Sequence, residues 1–367
     1  MKTWRADVVG SLLRPEYLAR AQQALADGRM STAEFKRVED RAVDQAVALQ
    51  EGAGVDVVTD GEMRRIGFAD QLWSAVDGLE AVPESEAASV PFHGARAEDD
   101  LTFAVPARVV ERIRRRRMMT VEEYSYVRGQ ARVPVKATLP SPLMLFLLWS
   151  QQHSRPAYRD AFELFADGVT LIREEAAELA ALGCRYIQID SPDLGQLADP
   201  DHHADWEARG IAPERALSEG VDMVNAVADV PRVTFALHLC KGNFRSRWIS
   251  KGGYETLSKQ VFSRIGNYER VMLEYDDERS GTFEPLADLP DDKVAVLGLV
   301  STKHDDVEKV DDLADRMSHA ARYFPKDQLA VSTQCGFASI AVGNDISTPA
   351  QEAKLRLVSD VAERIWS

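Results

Sequence analysis

Apolar positions along this chain follow two alternating rhythms. Short apolar runs, each closed by Gly, Pro or an acidic residue, read as buried strands, and longer stretches with a period near 3.6 read as amphipathic helices. Strands are predicted at Val8–Val9, Val55–Asp60, Val133–Thr138, Cys184–Asp190, Val233–Leu239, Val271–Tyr275, Val294–Leu299 and Leu329–Thr333. A helix is expected to start at Arg14-Pro15. Ser31-Thr32-Ala33-Glu34 has capping-box spacing and opens another, with Phe35, Val38, Ala42, Ala46 and Leu49 on one stripe and Gly52 and Gly54 as its stop. Phe162, Phe165, Val169, Ile172, Ala176 and Leu179 mark a long helix, and Val307, Val310, Leu313, Met317 and Ala321 a later one. Eight strand-then-helix units predict an α/β fold, a (β/α)8 TIM barrel, as a single domain over residues 1–367. An open doubly wound sheet is the alternative with the same periodicity. The pattern blurs from about 81 to 132, which predicts an insertion between the second and third strands.

In a parallel barrel the chemistry sits on the loops after the carboxyl ends of the strands. Those ends carry Gly10-Ser11, Asp60-Gly61-Glu62, Asp190-Ser191-Pro192, His238 and Cys240, Glu274-Tyr275-Asp276, Ser301-Thr302-Lys303-His304, and Gln334-Cys335-Gly336-Phe337. His238 and Cys240 are two apart in a strand, so their side chains share a face. Alone, such a pair reads as a satisfied core histidine beside a buried thiol. With the barrel assumed, His238, Cys240, Glu274 and Cys335 make an N, S, O, S set suited to Zn2+. The competing reading makes Glu274 a rim carboxylate and Cys335 a small buried hydrophobe. Cys184, at the start of its strand, is expected only to pack.

Composition narrows the classes. The chain has 367 residues, 45% of them hydrophobic and 28% charged, with a net charge of −15. An acidic protein is repelled by nucleic acid. The run Arg112-Ile113-Arg114-Arg115-Arg116-Arg117 is expected to be a solvated or salt-bridged helix face instead of a DNA contact. No secretory signal opens the sequence, and the longest apolar run, Leu143–Trp149, is too short to cross a bilayer. Three cysteines build no disulfide framework, and a cytoplasmic location is expected.

His238-Leu239-Cys240-Lys241-Gly242-Asn243-Phe244-Arg245, Gly252-Gly253-Tyr254-Glu255, Leu273-Glu274-Tyr275-Asp276 and Gln334-Cys335-Gly336-Phe337-Ala338-Ser339 resemble the cobalamin-independent methionine synthase family. The likeness is to its short branch, which keeps only the catalytic barrel, and runs from Val9 to near Trp366. It implies a zinc enzyme with His238, Cys240, Glu274 and Cys335 as ligands. It further implies that Gly10-Ser11 meets the carboxylate of homocysteine and that Glu62 and Asp190 hold its amino group. Two departures stand out: Asp-Glu-Pro of the family is here Asp190-Ser191-Pro192, and Lys303, with His304 beside it, stands where full-length enzymes place a catalytic histidine.

The implied reaction is S-alkylation of a small thiol, with methyl transfer to homocysteine leading. Lys303, His304 and Asp190 are the candidates for proton handling. The methyl donor is expected to be a methylfolate, a methylated corrinoid or another small methyl compound. The same branch includes epoxyalkane:coenzyme M transferase, in which a thiol opens an epoxide. A non-catalytic, zinc-stabilised binding protein is a third reading, disfavoured by the carboxylates at the strand ends.

Overall fold

The computed structural model describes residues 4–367. Two antiparallel ribbons come first. β1 (Val76–Ala81), β2 (Ala88–Phe92), β3 (Leu101–Val105) and β4 (Ala107–Arg115) pair as β1 with β4 and β2 with β3. β5 (Lys136–Pro140), β6 (Tyr186–Asp190), β7 (Thr234–Leu239), β8 (Arg270–Glu274), β9 (Val294–Val300) and β10 (Leu329–Thr333) form one parallel six-stranded sheet in sequential order. All six therefore direct their carboxyl ends to the same side.

Alternate residues of these strands face different cores, which is why the strands read as unbroken apolar runs. Ile187, Ile189, Leu237, Leu239, Val271 and Leu273 pack outward with helix Ala161–Ala181, whereas Tyr186, Ala236, Met272, Val296 and Ala330 join Val8 and Val57 in a second cluster. That second cluster also surrounds charge. Lys136 is fully buried and donates to Asp7 Oδ1 at 2.9 Å and to Gln188 Oε1 at 2.7 Å; Arg270 reaches Asp7 Oδ2 at 3.2 Å.

The first two expected strands are reduced to single parallel bridges, Ala6 with Val331 and Val58 with Val135. Side chains take the donors a longer ladder would use: Asp56 accepts from the backbone N–H groups of Arg5 and Ala6, and Asp7 from that of Val8. The Asp56 N–H in turn donates to the Ala6 carbonyl at 2.9 Å. Both edges of the six-stranded sheet thus continue, through these two segments, towards one another.

The capping box forms as expected, with Ser31 accepting from the Glu34 N–H at the head of helix Thr32–Ala53. Gly52 lies inside that helix, and Gly54, at φ 82°, ends it. The later helix is Val310–Ala320, so Val307 lies outside it and is exposed. The arginine run is not a helix face. Arg112 to Arg115 belong to β4, in which Val109 and Ile113 are buried and the arginines pair with Asp167, Glu174 and Glu175. Ile113 is the only apolar residue in the run, too sparse to mark either period. Residues 81–132 hold most of the two ribbons and helix Val121–Arg128.

Candidate metal centre and cavity

The parallel register brings the donors together. Asp190 lies opposite His238 across β6 and β7, so their side chains share a face, and His238 Nδ1 meets Asp190 Oδ1 at 2.9 Å. Cys240 follows β7, Glu274 ends β8 and Cys335 follows β10. One donor atom from each of His238, Cys240, Glu274 and Cys335 lies within 4.8 Å of the other three, and all four residues are buried.

Glu274, His238 and Cys240 are each held by a hydrogen bond to a neighbour. Glu274 Oε1 accepts from the Lys241 backbone N–H at 2.7 Å, while Oε2 is buried with no partner. His238 Nε2 is likewise buried without a partner. The Tyr254 hydroxyl, donating to the Leu239 carbonyl at 3.1 Å and accepting from the Glu274 N–H at 2.9 Å, locks β7 to β8 just below the cluster. Cys240 Sγ lies 3.6 Å from Cys335 Sγ and accepts from the Gly242 N–H. Leaving buried polar atoms unsatisfied is costly, so two orphaned donors beside two thiols fit a cation of zinc type.

Burial works to lower the His238 pKa, but the hydrogen bond to Asp190 and the nearby Cys335 and Glu274 raise it to about 9. The Cys240 contact, which helps to hold a charged sulfur, lowers the Cys335 pKa, so one thiol of the pair gives up its proton before the other.

Three members of the cluster, His238, Cys240 and Cys335, line a cavity with an empty volume of about 850 Å³, part of it open to solvent. Ser11, Glu62 and Asp190 line it beside His238, Cys240 and Cys335. Glu62, in a left-handed conformation at φ 56°, accepts from Thr138 Oγ1 at 3.2 Å and lies 3.4 Å from Arg65; its Oε2 is buried and free. Burial raises its pKa, with Arg65 and Arg14 opposing. Gly336 is required beside Ser11, because a β-carbon there would overlap the Ser11 hydroxyl. Gly10 sits behind, its carbonyl accepting from Thr59.

Lys303 and His304 do not line the cavity. Lys303 pairs with buried Asp276 at 3.0 Å, and His304 is exposed. Sequence reasoning missed two groups. Of the aromatic wall from Phe68, Trp73, Phe92 and Phe103, the last two fall in the region without clear periodicity. Gln188, whose Nε2 donates to Asp190 Oδ1 at 2.6 Å, carried a signal in its place two residues before Asp190 on the same strand face.

Residues 4–364 match the model of the cobalamin-independent synthase catalytic domain. The chain belongs to that family. YxjH of Bacillus subtilis, an uncharacterized protein, is 34% identical over 99% of this chain and 95% of its own length. The methionine synthase of Saccharolobus solfataricus is 24% identical over 90% of this chain and 86% of its own length. A putative vitamin-B12 independent methionine synthase from Listeria monocytogenes shares the fold, with a TM-score of 0.74, 23% identity, and coverage of 99% of this chain and 98% of that one. No helix among the described residues is long and apolar enough to cross a membrane.

Proposed function

We propose that this family member is a zinc-dependent methyltransferase that methylates the thiol of homocysteine to give methionine. The observation that carries the reading is the pair of orphaned buried atoms, His238 Nε2 and Glu274 Oε2, converging with two thiols beside a cavity that also presents Glu62 and Asp190. We further read the sheet and its two bridging segments as one closed (β/α)8 barrel carrying an insertion at about 81–132.

His238, Cys240, Glu274 and Cys335 would hold the zinc. A metal bound by two thiolates favours ionisation of a substrate thiol at neutral pH. The remaining steps belong to the chain. Asp190 fixes the Nδ1–H tautomer of His238, leaving Nε2 as the donor, and the Lys241 N–H keeps Glu274 turned inward. Glu62 and Asp190 receive the substrate ammonium, and Ser11 its carboxylate. Orientation of the thiol towards the donor methyl then supplies much of the rate.

The epoxide reading is weaker. Ring opening leaves an alkoxide that needs a proton or a cation close by, whereas Lys303 is committed to Asp276.

Zinc content and homocysteine affinity test the proposal. The protein should carry about one zinc per chain, most of it lost in Cys240→Ser and Cys335→Ser and retained in Cys184→Ser. Glu62→Gln should weaken homocysteine by about tenfold, the value of one charge-assisted hydrogen bond, and Asp190→Asn, which also loosens His238, by at least as much. Full zinc occupancy in both cysteine variants would overturn the site. Equal affinity for a homocysteine analogue lacking the amino group would overturn the acceptor.

A further inference from the structure

The cavity wall bears on which methyl donor fits. Above the cluster it is built from Phe68, Trp73, Val90, Phe92, Phe103 and Ile249. β2 and β3 supply three of these, and they are fastened to the site: His93 and Trp248 exchange backbone hydrogen bonds at 2.7 and 3.1 Å, and Phe92 packs on Phe244 with ring centroids 5.2 Å apart. Apart from His238 in the donor cluster, the charged residues on the wall are acidic: Glu62, Asp70 and Asp190. Among the described residues no lysine or arginine lines the cavity; Arg14 and Arg65 lie behind Glu62, and Lys241 turns away to the Gly252 carbonyl over the Tyr254 ring.

Glu62 and Asp190 are already assigned to the acceptor's ammonium. Asp70 is then left over: a half-buried carboxylate in an aromatic wall, its pKa raised by burial and partly restored by the Gly67 backbone, with no salt-bridge partner among the described residues. Such a wall attracts a cation with an apolar shell, through ring faces and through charge. It offers no lysine or arginine to the carboxylates of a polyglutamyl folate or to a sulfonate.

Resting on the homocysteine reading above, we propose that the donor is a small methyl-onium compound, a sulfonium or a quaternary ammonium, held between Asp70 and the aromatic wall. The chemistry closes without a further reagent. The thiol loses its proton, its sulfur lone pair forms the new S–CH3 bond, and the old C–S+ or C–N+ bond breaks with its pair remaining on the departing atom. The by-products are a neutral thioether or tertiary amine and one proton. Because the leaving group departs neutral, no acid has to protonate it, which accords with Lys303 being tied to Asp276 away from the cavity.

The zinc-loaded protein is incubated with sulfur-labelled homocysteine and, in separate arms, unlabelled S-methylmethionine, glycine betaine, and mono- and triglutamyl methyltetrahydrofolate. Methionine carrying the homocysteine label, formed in an onium arm at least tenfold faster than from either folate, is the expected result, and the two onium arms distinguish sulfonium from ammonium. Asp70→Asn should raise the KM for the onium donor about tenfold. Homocysteine binding, read from the visible spectrum of the cobalt-substituted protein, should not change. Should homocysteine perturb that spectrum while no onium donor yields product, the inference fails and the acceptor reading survives. Should homocysteine leave the spectrum unchanged, the acceptor reading itself fails and this inference with it. An Asp70→Asn variant with wild-type KM, folded as judged by that spectrum, would also overturn the inference.

Discussion

Gln188 shows how far the orientation of one imidazole is determined by groups that never touch a substrate. Lys136 can only donate, so it fixes the amide of Gln188 with its oxygen towards the lysine and its nitrogen towards Asp190. Asp190 Oδ1 then accepts from both Gln188 and His238. The relay runs along the strand faces from the charged interior to the donor cluster. Gln188→Leu should leave the fold intact but weaken zinc by about ten- to a hundredfold in competition with a chromophoric chelator, the usual effect of removing a partner behind a metal ligand. Unchanged affinity would mean that Asp190 holds its position unaided. At this scale the four clustered donors were legible, because His-x-Cys, Glu274 and Cys335 each stand at or just past the end of a strand-like run. Gln188 was not, since a polar residue inside a buried strand announces a partner but not which one.

At the scale of elements, legibility followed local rules. Helix Thr32–Ala53 begins and ends where its own residues dictate, at a Ser31–Glu34 capping box and a left-handed Gly54. Ser31→Ala should cost about 1 kcal/mol in urea unfolding, as loss of an N-cap generally does. A cost near zero would show that the helix start is held by packing alone. The ribbons of 76–115 were not legible as strands. Their faces are only partly buried, so alternation is diluted, and the arginines of β4 are neutralised by carboxylates distant in sequence, Asp167 and Glu174. Likewise the segments around Ala6 and Val58 lost their ladders to Asp56 and Asp7, a competition between side chain and backbone that a hydrophobic pattern does not record.

Across the whole molecule the interior of the sheet is polar at its base. Asp7, Lys136, Tyr186 and Arg270 form one buried set: Tyr186 donates to Asp7 Oδ2 at 2.6 Å and Lys136 to Oδ1. Together they bind the amino-terminal segment to β5, β6 and β8, elements far apart in sequence. Burial raises the cost of the Asp7 charge, but Lys136 and Arg270 outweigh it and hold its carboxyl below the usual range. Breaking such a set is worse than never having built it. Lys136→Met should destabilise the protein by about 3–5 kcal/mol in chemical denaturation, because Asp7 keeps its charge with half of its compensation gone. A loss under 1 kcal/mol, the scale of an exposed pair, would mean that water reaches this interior.

The 3.6 Å between Cys240 Sγ and Cys335 Sγ carries a liability as well as a site. A peroxide reaching the metal-free chain would convert the two thiols to a disulfide with loss of two hydrogens, removing half of the donor set in a single step. A bound cation would shield both sulfurs. Hydrogen peroxide should therefore lower the mass of the chelator-stripped protein by about two units, reversibly with dithiothreitol, and leave the zinc-loaded protein unmodified over the same interval. Equal oxidation of the two forms would show that zinc does not cover these sulfurs. For this chain, metal supply and resistance to oxidants would then be one and the same requirement.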